Sequence, residues 1–281
     1  MQTRIIQGVA VPAFFYGTAW KEERTEALTA QALAAGFRAI DTANQRRHYL
    51  EAAVGDAVAA EIAAGRLARA DLFLQSKFTH ARGQDHRLPY DPAAPLGEQV
   101  RQSFASSLAH LRTDHLDAYL LHGPSRADRL AEEDWQAWGA MSSLVREGRV
   151  RLLGISNVSP AQLKELIAGS EVRPSLVQNR CYASQGWDAE VRAICTGHGI
   201  GYQGFSLLTA NRRELARPAF ARAAARSGRT REQVAFRLAL QLGILPLTGS
   251  SDPRHLREDL EAFDFELEPG ELAALAGHVH A

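Results

Sequence analysis

Three side chains able to do acid–base chemistry stand directly behind short apolar runs of the 281-residue chain. Asp41 follows residues 38–40, Lys77 lies just past residues 72–75, and His122 follows residues 118–121. Hydroxyls, carboxamides and a ring follow other runs of the same kind. Ser156 and Asn157 come after residues 151–155, Gln178 and Asn179 close residues 176–178, and Phe205 with Ser206 follows residues 201–204. Thr248-Gly249-Ser250-Ser251 follows residues 244–247. A carboxylate beside an ammonium holds it charged and in place, and an imidazole can orient an oxygen or exchange a proton with it. Each residue alone also has an ordinary reading. An Asp after a strand caps helices, a lone Lys is usually solvated, and a His between Leu121 and Gly123 can be a packed, hydrogen-bonded side chain. The chemistry gains weight only if these runs end at one rim.

The elements that would bring them there are legible. Eight candidate strands, at residues 13–16, 38–40, 72–75, 118–121, 151–155, 176–178, 201–204 and 244–247, alternate with helical patterns. Those helices are expected near 22–35, 50–64, 97–112, 131–147, 160–169, 188–198, 212–224 with 231–242, and 253–261. Such alternation implies βαβ units and a parallel sheet. Eight units without a break in composition favour a closed (β/α)8 TIM barrel of one domain, residues 1–281, whose active site sits at the C-terminal strand ends. Thr230 with Gln233 forms a capping box, Pro253 behind Ser251 or Asp252 opens a helix, and Gly36, Gly148 and Gly199 follow helices where left-handed caps are expected. Residues 4–11 around Gly8 read as an N-terminal β-hairpin. The longest irregular stretch is 79–95, a length usually reserved for functional or mobile loops.

Composition excludes several classes. Apolar residues make 46% and charged residues 23%, and Lys+Arg balance Asp+Glu at 32 each. That neutrality argues against a general nucleic-acid or membrane-surface binder. Cys181 and Cys195 form neither a disulfide framework nor a metal-ligand spacing, and no metal site is expected. No eighteen-residue apolar stretch and no signal-peptide pattern occurs, which points to the cytoplasm.

Gly36-Phe37-Arg38-Ala39-Ile40-Asp41-Thr42-Ala43 resembles the signature of the aldo-keto reductase family. So do Ser76-Lys77, the run Leu116 to His122, Gly154-Ile155-Ser156-Asn157, and Gly17-Thr18-Ala19-Trp20. The resemblance keeps its order along nearly the whole chain. It implies hydride transfer between a nicotinamide cofactor and a small aldehyde or ketone, or the corresponding alcohol, through a tetrad of Asp, Tyr, Lys and His. Asp41, Lys77 and His122 carry over directly. The usual tyrosine position is Arg46, whose guanidinium cannot serve as a proton donor. Tyr49 is the favoured acid. His48, reached by aligning backward from Val54-Gly55, is the alternative. Lys77 close to Tyr49 is expected to lower the phenol's pKa, and His122 to orient the carbonyl oxygen.

The resemblance also assigns a cofactor site. Ser156, Asn157 and Gln178 match the positions that grip the nicotinamide amide, and Phe205 falls where a tyrosine usually stacks on the ring. Gly17, Thr18, Ser206, Leu208, Gly249, Ser250 and Ser251 are the remaining contacts expected along the cofactor, with Arg254, Glu258 and Asp259 at its adenosine end. Leu247 stands in place of the lysine that pairs with the 2′-phosphate of NADP, and His255 in place of an arginine, with Arg254 beside it. NADP(H) stays first and NAD(H) remains open. Trp20, His86 and Tyr90 are the substrate-side candidates, and Trp187 has some prospect of facing the site. The short tail after a helix near 269–276 implies an open pocket of broad specificity. The expected partner is a small carbonyl or alcohol, with the protein a monomer or weak dimer. A Schiff-base aldolase is disfavoured because Asp41 would keep Lys77 protonated. A nucleotide-binding sensor with little catalysis is the other alternative.

Overall fold

The computed structural model of the protein describes residues 2–277. Two short strands come first, β1 (Thr3–Ile6) and β2 (Val9–Pro12), paired antiparallel. Gln7 and Gly8, both at positive φ (46° and 80°), form the two-residue turn that matches the twist of the hairpin.

Eight parallel strands then close into a barrel: β3 (Phe15–Gly17), β4 (Ala39–Asp41), β5 (Phe73–Phe78), β6 (Leu116–Leu121), β7 (Val150–Ser156), β8 (Leu176–Arg180), β9 (Gly201–Phe205) and β10 (Ile244–Thr248). β10 pairs with both β9 and β3, which leaves no edge. The (β/α)8 expectation is met strand for strand. Every strand starts or ends at least a residue away from its expected limits, and all but β6 run further at the C-terminal end. Apolar character stops there while the ladder continues, as where Lys77 pairs with Leu120 and Ser156 with Gln178.

Side chains alternate across the strands as the pleat requires. On β5, Phe73 meets Phe15 edge to face inside the barrel, at 5.6 Å between ring centres. Gln75 and Lys77 follow on the same face. Ser76 points outward, where it donates to Glu51 and lies 3.4 Å from Ser107 on the surrounding helices.

The helices are α1 (Thr25–Ala35), α2 (Glu51–Ala63), α3 (Leu96–Leu111), α4 (Glu132–Arg146), α5 (Pro160–Gly169), α6 (Ala189–Gly197), α7 (Arg212–Leu215), α8 (Pro218–Ser227), α9 (Arg231–Gln241), α10 (Pro253–Leu260) and α11 (Pro269–Ala276). The helix expected over 212–224 is broken in two. Pro218 forces Arg217 into an extended conformation (ψ 148°), which ends α7 and starts α8. The Thr230–Gln233 capping box forms, and Asp252 rather than Ser251 caps α10. At Gly55, α2 meets α3 so closely that a Cβ would lie 1.9 Å from the carbonyl oxygen of His110.

Candidate functional site

The C-terminal ends of β4, β5 and β6 deliver Asp41, Lys77 and His122 to one rim, and the loop from β4 to α2 adds Tyr49. Lys77 is fully buried, with Nζ donating to Asp41 Oδ1 at 2.7 Å and to the Thr42 carbonyl at 2.8 Å. The same ammonium stands 5.3 Å from the centre of the Tyr49 ring. The His122 ring meets Tyr49 edge to face at 6.0 Å. His48 also lines the cleft and stacks on Trp20 at 3.9 Å. Of the two ring candidates in this loop, Tyr49 is the one beside Lys77 and His122.

Beneath Asp41 lies a buried amide network. Gln75 and Gln178 both donate to Asp41 Oδ1, at 2.6 and 3.0 Å, and both also donate to Gln203 Oε1 at 2.9 Å. Three donors therefore converge on one carboxylate oxygen, which fixes the acid as a rigid anchor for Lys77.

Burial dominates the electrostatics. It pulls the Lys77 ammonium below its ordinary pKa, against the opposing pull of Asp41. It pushes His122 down to about 3, helped by the charge of Lys77, so the ring is neutral. It holds the Tyr49 phenol above its ordinary value of 10.0, with the Asp41 carboxylate adding to the effect. Desolvation thus acts against the lowering expected from Lys77. The phenol is neutral, the form that can donate a proton.

These groups open into one cleft of about 740 Å³ that runs along the rim to β10 and α10, within the size range of small-molecule and cofactor sites. Ser156, Asn157 and Gln178 line it. Ser156 Oγ donates to the Gln178 carbonyl, and Asn157 Nδ2 donates to the His122 carbonyl. Asn157 Oδ1 and Gln178 Oε1 have no partner among the described residues, so two acceptors are open to a carboxamide NH2. Phe205 follows, with the Arg180 guanidinium 5.3 Å from its ring centre. Gly17, Ser206, Leu208, Gly249 and Ser250 line the middle, and Arg254, Glu258 and Asp259 the far end. Asp259 is buried, accepts from Thr248 Oγ1 at 2.7 Å, and is pushed up to about 7 by burial. Trp20, Asn157 and Ser206 hold left-handed φ angles of 61°, 54° and 58° at the cleft, costly conformations that tend to gather at functional sites. Amide-binding acceptors, a ring face and a long trough with hydroxyls and glycines fit a nicotinamide dinucleotide.

Several sequence candidates stand elsewhere. Thr18 is buried behind the rim, where its amide and hydroxyl both donate to the Asp41 carbonyl at 3.0 Å, and it does not line the cleft. Ser251 is exposed outside the lining, because the α10 cap turns the chain away after Ser250. His86 is exposed on the outer part of its loop. Tyr90 is buried, packed on Phe78 at 5.7 Å, with its hydroxyl spent on the Thr79 carbonyl. Neither touches the cleft. Trp187 is buried and donates to the Leu275 carbonyl.

Sequence reasoning missed Lys21 and Arg180, which line the cleft, and Gln75 and Gln203, which support Asp41. The two-residue spacing of Gln75 from Lys77 was the available signal, since it places both on one face of a strand.

Residues 13–280 match the model of the Aldo/keto reductase family. The chain is 30% identical over 263 residues to a Bacillus subtilis protein named uncharacterized oxidoreductase YtbE, across 92% of this chain and 86% of that one. It is 29% identical over 290 residues to morphine 6-dehydrogenase of Pseudomonas putida, across 95% and 88% of the two chains. The crystal structure of an aldo/keto reductase from Brucella melitensis superposes with a TM-score of 0.81 at 29% identity, covering 98% of each chain. With the family match running from residue 13 onward through the whole barrel, the chain belongs to the aldo/keto reductase family and is an NAD(P)-linked oxidoreductase of small carbonyl compounds and their alcohols.

Proposed function

We propose that Asp41, Tyr49, Lys77 and His122 carry the chemistry, with Tyr49 as the proton donor in carbonyl reduction and the acceptor in alcohol oxidation. The observation that carries this reading is the position of Lys77 Nζ, held at 2.7 Å by Asp41 and 5.3 Å from the Tyr49 ring centre, with His122 edge to face on the same ring. When bound, the nicotinamide cofactor supplies the hydride to the carbonyl carbon. Charge then develops on the carbonyl oxygen, where the neutral Tyr49 phenol gives up its proton. Lys77 stabilises the phenolate left behind, and Asp41 keeps Lys77 in register. His122 donates a hydrogen bond to the oxygen and holds it in line, which is positioning rather than proton transfer.

Ser156, Asn157 and Gln178 hold the cofactor's carboxamide, and the Phe205 face holds its ring. Gly17, Ser206, Leu208, Gly249 and Ser250 follow its middle, with Arg254, Glu258 and Asp259 at the adenosine end. NADP(H), the family norm, is the favoured form, with Arg254 as the cation for its 2′-phosphate. NAD(H) is a second reading, favoured by a specific observation. Leu247 is buried and uncharged, and Glu232, Glu258 and Asp259 line the cleft around Arg254 and His255. Small aldehydes and ketones enter on the side of Trp20, which is 70% exposed.

The test is Lys77→Met. Turnover should fall below detection while a fluorescence titration still shows cofactor binding. Near-normal turnover in that variant would overturn the tetrad.

A further inference from the structure

We propose that Thr79 is a positioning residue that sets the tautomer of His122, its hydroxyl donating to Nδ1 so that Nε2 carries the ring proton and faces the cleft. Thr79 Oγ1 and His122 Nδ1 are 2.7 Å apart. That is the hydroxyl's one hydrogen-bond partner among the described residues, and Thr79 is buried. If the ring proton sat on Nδ1, the hydroxyl would accept it and its own hydrogen would have nowhere to go, a costly state for a buried group. Nε2 would then face the cleft as a bare acceptor, opposite another acceptor, a carbonyl oxygen. Desolvation and the charge of Lys77 both disfavour the doubly protonated ring. In general the hydrogen bond at one imidazole nitrogen decides what the other presents.

Thr79 is itself held from behind. It continues the face of Gln75 and Lys77 one step beyond the end of β5. Its carbonyl accepts from Tyr90 Oη at 2.7 Å. Gly83 leaves room for its methyl, since a Cβ there would lie 2.7 Å from Thr79 Cγ2. Gln45 Nε2 donates to the Gly83 carbonyl at 2.6 Å and Gln84 Nε2 to the Asn44 carbonyl at 2.8 Å, tying this loop to the one that carries Tyr49. The His122 amide donates to the Phe78 carbonyl at 2.8 Å. The 79–90 part of the long loop is therefore a scaffold behind the imidazole rather than a wall of the substrate site, which explains why Tyr90 is buried.

This inference rests on the proposed role of His122 at the carbonyl oxygen, but the tautomer is read without turnover. Nitrogen-15 NMR of the cofactor-free protein should show His122 with Nε2 protonated and Nδ1 as an acceptor. Thr79→Val, which keeps the shape and removes the hydroxyl, should bring the Nδ1-protonated form into view. It should also lower kcat/KM for the carbonyl by up to roughly tenfold, about the worth of one hydrogen bond, with cofactor affinity unchanged. Thr79→Ser should restore both. Nδ1 protonated in the wild-type protein would overturn the proposal, and that measurement needs no variant to fold. So would a folded Thr79→Val variant with the wild-type tautomer. Failure of Lys77→Met to abolish turnover would instead strike the tetrad and leave the tautomer assignment standing.

Discussion

Lys77 Nζ lies 2.7 Å from Asp41 Oδ1 with both side chains shut off from water. A buried pair is costly to break by halves, because the surviving charge loses its partner but not its burial. Asp41→Ala removes the partner of a fully buried ammonium and should cost about 3–5 kcal/mol of folding stability. Lys77→Met should cost less, since Asp41 keeps its hydrogen bonds from Gln75 and Gln178. Urea unfolding of the two variants side by side measures the difference, and equal losses would show that the amide network does not support the carboxylate.

His122 links stability to acid. Its folded pKa is about 3 against an ordinary 6.5. The unfolded chain therefore takes up a proton on this ring that the folded protein refuses, and its contribution is lost as pH falls from 6.5 toward 3. In His122→Gln the decline in melting temperature over this range should be shallower than in the wild-type protein. Parallel curves would place the acid sensitivity elsewhere.

Asp259 acts in the opposite sense. Its carboxyl is pushed up to about 7 from 3.8, so the folded protein binds this proton more tightly than the unfolded chain. The benefit is complete below 3.8 and lost as pH rises through about 7. Asp259→Asn keeps an acceptor for Thr248 and removes the buried charge. It should raise the melting temperature at pH 8 and change it little at pH 4.

Arg254 is exposed at the adenosine end of the cleft, 3.1 Å from His255 and 3.7 Å from Glu258. If it serves the 2′-phosphate, Arg254→Ala should weaken NADPH binding by roughly tenfold, the equivalent of about 1.4 kcal/mol, and leave NADH binding unchanged. Parallel fluorescence titrations read both. Equal weakening would assign Arg254 to a part common to the two cofactors, and tighter wild-type binding of NADH would favour the second reading.

The barrel was legible in the sequence because its signals are local and repeated: eight apolar runs, the Thr230 capping box, and glycines behind helices. Asp41, Lys77 and His122 were legible because a parallel barrel places whatever follows each strand on one rim. Tyr90 was misplaced because an aromatic in a long loop carries no mark of whether it faces the cleft or packs beneath it. Here the Thr79 carbonyl decides. Gln75 and Gln203 were missed because they sit inside strands, where polar residues read as interruptions of the apolar pattern. The rise of the Tyr49 pKa was not legible at all, since it depends on how deeply the loop between β4 and α2 buries the ring.

The choice between Tyr49 and His48 is the most direct test of the central claim. Steady-state reduction of a small aldehyde should be measured for Tyr49→Phe and His48→Asn together. Tyr49→Phe should lose roughly 100- to 10,000-fold in kcat, the usual share of a positioned proton donor, with cofactor binding intact. His48→Asn, which removes a cleft-lining ring stacked on Trp20, should keep its kcat within a few-fold, roughly the effect of one aromatic contact. Near-normal turnover in Tyr49→Phe, with collapse in His48→Asn, would contradict the assignment and move the proton donor to the imidazole.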